Sequence, residues 1–208
     1  MHRLNLFAVV VAFALIFAGI LPWTAIAEPE SQSSVEQTFQ KAKQNYLEKN
    51  MNSAAEQIQK SASYMRAQAA KASDMGKEAL NTSAKELEKL ADDVKKGTVT
   101  SVKRMEETFA RAYVALASDS HIKSTESWAK KEKAKAGDAL DSANKYLERS
   151  FAWAGQKIET RTTEVMKKSQ ELSLKLKKKG SVVAEDVGKG LKDVGNEIEK
   201  FGKKISPK

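Results

Sequence analysis

From Val35 onward the apolar positions fall at alternating intervals of three and four. Val35, Phe39, Ala42, Tyr46 and Leu47 open the pattern, and such spacing gathers side chains on one face of a helix. Asn50-Met51-Asn52 interrupts it. Ser53-Ala54-Ala55-Glu56 then has the form of a capping box: the Ser53 hydroxyl accepts from a first-turn amide while Glu56 reaches back. The reading is a helix–turn–helix corner at Asn50, against the alternative of one continuous helix. The next stripe holds Ala55, Ile58, Ala62, Met65, Ala69 and Ala72, with a kink expected at Gly76. It resumes with Leu80, Ala84, Leu87, Ala91 and Val94 and closes at Lys95-Lys96-Gly97. Cations suit the exposed carbonyls of a helix end, and glycine suits the left-handed position after it. Val102, Met105, Phe109, Ala112, Tyr113 and Leu116 form a third stripe, which Ser118-Asp119-Ser120 is expected to end as a turn.

A second cycle begins at Trp128, with a break expected at Gly137-Asp138. Leu140, Ala143, Leu147, Phe151, Ala154 and Ile158 continue it, followed by Thr162, Val165, Met166, Leu172 and Leu176. Residues 79–89 align without gaps on residues 139–149, including Leu80 on Leu140 and Leu87 on Leu147. The expected fold is therefore all-α: an elongated antiparallel helical bundle built from a duplicated helical hairpin. Near the C-terminus Val187, Leu191, Val194, Ile198, Phe201 and Ile205 make a narrow seam of heptad type. Four glycines, at positions 188, 190, 195 and 202, accompany it. Each costs roughly 1 kcal/mol against alanine in a helix. This amphipathic helix needs a surface to lie on: the bundle, a second copy, or an anionic membrane, to which its lysines would be drawn.

The first residues follow a different pattern. Met1-His2-Arg3 is basic, Leu4 to Leu21 is apolar, and Ala25-Ile26-Ala27 precedes Glu28. That order is a secretory signal peptide cut after Ala27, with Ala25, Ala27 and Glu28 as the cleavage residues. An uncleaved anchor is the alternative, since about 20 apolar residues span a bilayer as a helix. Gly19 and Pro22 break the run first. The expected organisation is residues 1–27 as signal peptide, 28–33 as a disordered leader, 34–180 as the bundle, and 181–208 as the amphipathic C-terminal helix.

Composition narrows the chemistry. Between Pro29 and Pro207 there is no proline, as long helices require. The absence of cysteine excludes disulfides, zinc–thiolate sites and thiol catalysis. The net charge of +9 admits anionic partners, although acids are interleaved with most of the lysines. Beyond the leader the one histidine is His121, expected in a solvated turn. A lone imidazole supplies neither a triad nor a histidine metal site. Glu86, Glu88, Asp92 and Asp93 lie among lysines and read as surface ion pairs along one helix. No phosphate-binding glycine loop or calcium loop occurs. Trp128, Trp153, Phe151, Tyr146 and Tyr113 read as core rather than pocket, with Phe151 and Trp153 too close in sequence to point the same way. Lys175, Lys177, Lys178 and Lys179 read as a solvated helix end rather than a phosphate site.

Leu47, Asn50, Met51, Ala55, Ile58, Ala62 and Met65 carry a resemblance. Their spacing resembles the corner of tetratricopeptide-type hairpins and is similar to the corresponding stretch of the YfdX family of exported helical bacterial proteins. Asn50-Met51 stands where those families have Gly-Asp. The resemblance implies an exported helical protein without an assigned reaction, linked to stress or envelope physiology. The residues themselves point to a non-enzymatic binding or scaffolding protein of the periplasm. No cofactor, nucleic acid or small-molecule substrate is implied. The expected partner is a protein or a second copy, with membrane-surface attachment through the C-terminal helix as the alternative.

Overall fold

A computed structural model of the chain describes residues 30–178 and 181–207. Among them the three-and-four spacing produces α1 (Glu30–Leu47), α2 (Met51–Ala69), α3 (Asp74–Lys95) and α4 (Val102–Ala129). It then produces α5 (Lys133–Trp153), α6 (Thr160–Lys177) and α7 (Ala184–Ile205). No strand occurs among the described residues, so the all-α bundle expected from the stripes is the fold. The signal-peptide segment, with Ala25, Ala27 and Glu28, lies outside the described residues. Residues 30–33, expected in a disordered leader, belong to α1.

Four helix ends share one device. At Lys49, Gly97, Lys131 and Gly155 the backbone turns left-handed, with φ between 60° and 70°. In each case that residue's N–H and the next one reach back to the closing turn, as in Gly97 to Val94 and Thr98 to Asp93. This is the Schellman arrangement, which satisfies the last free carbonyls. Two of these ends lie where the spacing gave no break. The stripe through Phe151, Ala154, Ile158 and Thr162 is cut between Trp153 and Thr160. The break expected at Gly137 falls instead at Lys130–Glu132. Gly137 sits inside α5 because α6 comes close there: a Cβ on it would lie 2.8 Å from the Ser173 carbonyl oxygen. Likewise Gly76 is in the first turn of α3, and α2 ends before it. The corner at Asn50 is as expected, but α2 starts at Met51, ahead of Ser53, with no side-chain cap. Ser118-Asp119-Ser120 is not a turn; it continues α4.

Sequential helices pack on one another, and α4 packs on α1, α3, α5 and α7. Two ion pairs, Arg104 with Asp93 and Arg111 with Glu86, run in opposite order along α3 and α4 and so make the two antiparallel. Asn144 to Ser169 and Ser173 to Gly137 do the same for α5 and α6. The aligned segments 79–89 and 139–149 bury the same register, with Leu80 and Leu87 on α3 matching Leu140 and Leu147 on α5. In the core, the Phe39 and Phe109 rings stack at 4.1 Å, and Trp153 meets both edge-on. Phe151 points to the opposite side and stacks on Phe201 at 3.7 Å. The two neighbours thus anchor different helices, as their two-residue separation requires.

Five of the six seam residues of α7 (Val187, Leu191, Val194, Ile198 and Phe201) are buried, and Ile205 is partly buried. They lie on α4 and α6 and, through Phe201, on α5, within the same apolar core as the other helices. The seam is therefore a packing face of the bundle. One glycine explains the close approach: a Cβ on Gly195 would lie 2.8 Å from Cε1 of His121.

Candidate functional site

Two helices, α3 and α7, flank α4, each packed on it and with at most marginal contact between them. Between them lies a trough of about 880 Å³. Its floor is a stripe of α4: Arg111, Val114, Ala115, Ser118 and His121. One wall is a stripe of α3: Met75, Glu78, Ala79, Thr82, Ser83 and Glu86. The other is α7, through Lys192, Gly195, Asn196, Glu199, Gly202 and Lys203. The three-and-four spacing on each helix makes the walls straight.

Arg111 closes one end. Its Nε donates to Glu86 at 2.7 Å, its Nη2 to the Thr108 hydroxyl at 3.0 Å, and its Nη1 to the Ile205 carbonyl at 3.4 Å. One guanidinium thus ties floor and both walls, as its planar fork of donors permits. His121 is the tie near the other end. Its Nε2–H donates to the Leu191 carbonyl at 2.8 Å, which places the proton on Nε2 in the neutral ring. Burial lowers the His121 pKa below its ordinary value, opposed by the bond to Leu191. This is the histidine expected in a solvated turn. Its neighbours misled: Ser118, Asp119 and Ser120 favour turns, yet here they are small enough to let helices close on α4. Met75, 70 % exposed, stands on the α3 wall at the His121 end, next to Gly76, which lies against Asp119.

The carboxylates also behave differently from expectation. Glu86, Glu88 and Asp93 pair across helices with Arg111, Arg66 and Arg104, rather than with lysines of their own helix. Sequence spacing shows only partners on the same helix. Lys177, expected in a solvated end, bridges to Asp138 and Asp141 on α5. Lys175 and Lys178 are exposed, and Lys179 lies outside the described residues.

Three buried or half-buried acids escaped the sequence analysis. Glu36 accepts from the Tyr113 hydroxyl at 2.5 Å and the Trp153 indole at 3.1 Å. Burial alone would raise its carboxyl, but these bonds and one from Gln40 outweigh it and hold the pKa below the ordinary value. Glu197 accepts from the Thr162 hydroxyl at 2.6 Å and joins α6 to α7. Asp119 is shifted up, first by burial, against the bond from Lys123. One of its oxygens, Oδ1, has no hydrogen-bond partner, and it lies where a Cβ on Gly76 would be 2.5 Å away. Among the described residues no three His, Asp or Glu side chains form a metal-holding group. Nor is any described helix long and apolar enough to cross a membrane.

The aromatic residues divide. Tyr113, Tyr146, Phe151 and Trp153 are buried in the core, with the Tyr113 and Tyr146 rings 6.0 Å apart, and Trp128 is partly buried. None of them lines the trough. No protein-family model matches the chain, and neither curated proteins nor solved structures give a match.

Proposed function

We propose that this chain is an exported, non-enzymatic binding protein of the cell envelope, with the α3–α4–α7 trough as its site. The observation that carries the reading is the trough itself: two helices held apart over a third by Arg111 and His121, with the space between them unfilled. Its volume falls in the range of about 300–1,000 Å³ usual for ligand sites. Its best-placed titratable groups already serve as ties between helices, which favours binding over catalysis. A photo-crosslinking amino acid at Met75 tests it in the producing cell. Adducts should form there and not at Leu47, which is similarly exposed on α1. Equal yields at both positions would refute the site.

Export rests on Met1–Ala27. The protein recovered from the periplasm should begin at Glu28; a chain that keeps Met1 would favour the anchor instead. A second reading, attachment to an anionic membrane surface, is supported by the α6–α7 corner. Leu174 and Val183 are exposed there, and residues 160–208 hold thirteen Lys or Arg against seven Asp or Glu. On this reading the corner, not the buried seam, meets the lipid. Flotation with phosphatidylglycerol vesicles should then fail for Leu174→Ser with Val183→Ser.

A further inference from the structure

We infer that the trough receives an α-helix of a partner protein, lying along α4 with a basic row over α3 and an acidic row over α7. This rests on the trough being the binding site and goes on to name its guest. Shape is the first argument. Both α3 and α7 run antiparallel to α4, as the order of Arg104–Asp93, Arg111–Glu86, His121–Leu191 and Arg111–Ile205 contacts shows. The gap between them is the place of one more helix in a bundle. From Arg111 to His121 the floor is roughly 15 Å long at 1.5 Å per residue. That matches a guest of about three turns.

Size is the second argument. Ala79, Ser83, Ala115, Ser118 and Gly202 are small and come from all three helices. Small side chains let a guest backbone approach at close helix–helix distance. An alkyl chain fits worse. It carries no group that can hydrogen-bond the Thr82, Ser83 and Ser118 hydroxyls it would cover, whereas the polar side chains flanking a helix's apolar row can reach them.

Charge is the third. Arg111 is held by Glu86, and Lys203 by Glu199 at 2.5 Å. Glu78 on the α3 wall and Lys192 on the α7 wall are exposed and have no ion-pair partner among the described residues. A guest helix with lysines on one flank and glutamates on the other meets both. Met75 adds a flexible apolar contact of the kind common at helix-binding surfaces.

Two peptides of one composition test this against the purified protein. Both are alanine-rich and 16 residues long. In the first, a row of Ala and Val lies between a Lys row and a Glu row; in the second, the same residues are scrambled around the helix. Titration of amide NMR signals should show saturable binding of the first, with shifts at Thr82, Ser118 and Gly202, and at least about tenfold weaker binding of the second. Thr82→Trp, an exposed wall position, should weaken the first peptide about tenfold without changing the melting temperature. Glu78→Lys should weaken it as well. Equal binding of both peptides, no binding of either, or indifference to Thr82→Trp would overturn the inference. Laurate serves as the competing probe. If laurate alone binds and Thr82→Trp blocks it, the guest is an amphiphile and the trough remains a binding site. If Met75 also gives no crosslink, the site itself fails.

Discussion

Lys49 and Lys131 hold φ values of 65° and 61° at the ends of α1 and α4. There a Cβ crowds the following carbonyl, and glycine is the usual occupant of this position. Gly97 and Gly155 meet the same demand at the ends of α3 and α5 without that strain. Lys49→Gly and Lys131→Gly should each raise stability by about 0.5–1 kcal/mol, read from the urea midpoint. A lower midpoint would show that the lysine side chain contributes more than its backbone costs. His121 sets a different expectation. Its folded pKa lies below the ordinary 6.5. The unfolded chain therefore binds the proton more readily, and stability present above about 6.5 is lost as pH falls through that value. The melting temperature should drop between pH 7.5 and 5.5 more steeply for the native protein than for His121→Gln. A glutamine amide can still donate to the Leu191 carbonyl. Parallel profiles would mean that the ring takes up its proton without disturbing the contact with α7.

Among the elements, α7 was the most legible in sequence, and what it rests on was the least. Its spacing marked Val187 to Phe201 as one face, and that face is buried. What covers it depended on Phe151 and His121, many residues away, and no local pattern carries that. Gly195 illustrates the difficulty: alone it weakens a helix, but against His121 it is what allows the helix to dock. Phe201→Ala should cost about 3–5 kcal/mol, the usual range for a buried aromatic, because Phe201 stacks on Phe151. A loss below about 1 kcal/mol would mean that α7 is only loosely held. Breaks between elements were legible at Asn50 and Gly97 and hidden at Lys131 and Gly155, while Gly137 suggested one that is not there. Lys130-Lys131-Glu132 has the composition of a helix interior, and Ile158 and Thr162 keep the three-and-four spacing on both sides of a real corner. The trough was invisible for a related reason: Ala79, Ser83, Ala115 and Ser118 look like ordinary packing residues until α3 and α7 are seen to stand apart.

In the whole molecule, one apolar core takes residues from every helix, from Val35 on α1 to Phe201 on α7. Unfolding should accordingly be a single transition, with helical circular dichroism and the fluorescence of Trp153 changing together. Separate midpoints would show that the α6–α7 end melts apart from the rest. The path of the chain through this core has a further consequence. The contact of His121 with Leu191 joins positions 70 residues apart, whereas the other wall of the trough is already built by the adjoining helices α3 and α4. Because its second wall, α7, follows its floor by some 70 residues, the trough forms only once α7 has packed on α4. For the proposed guest, both walls are therefore met only on a polypeptide that carries a docked α7, so binding and the packing of α7 are coupled.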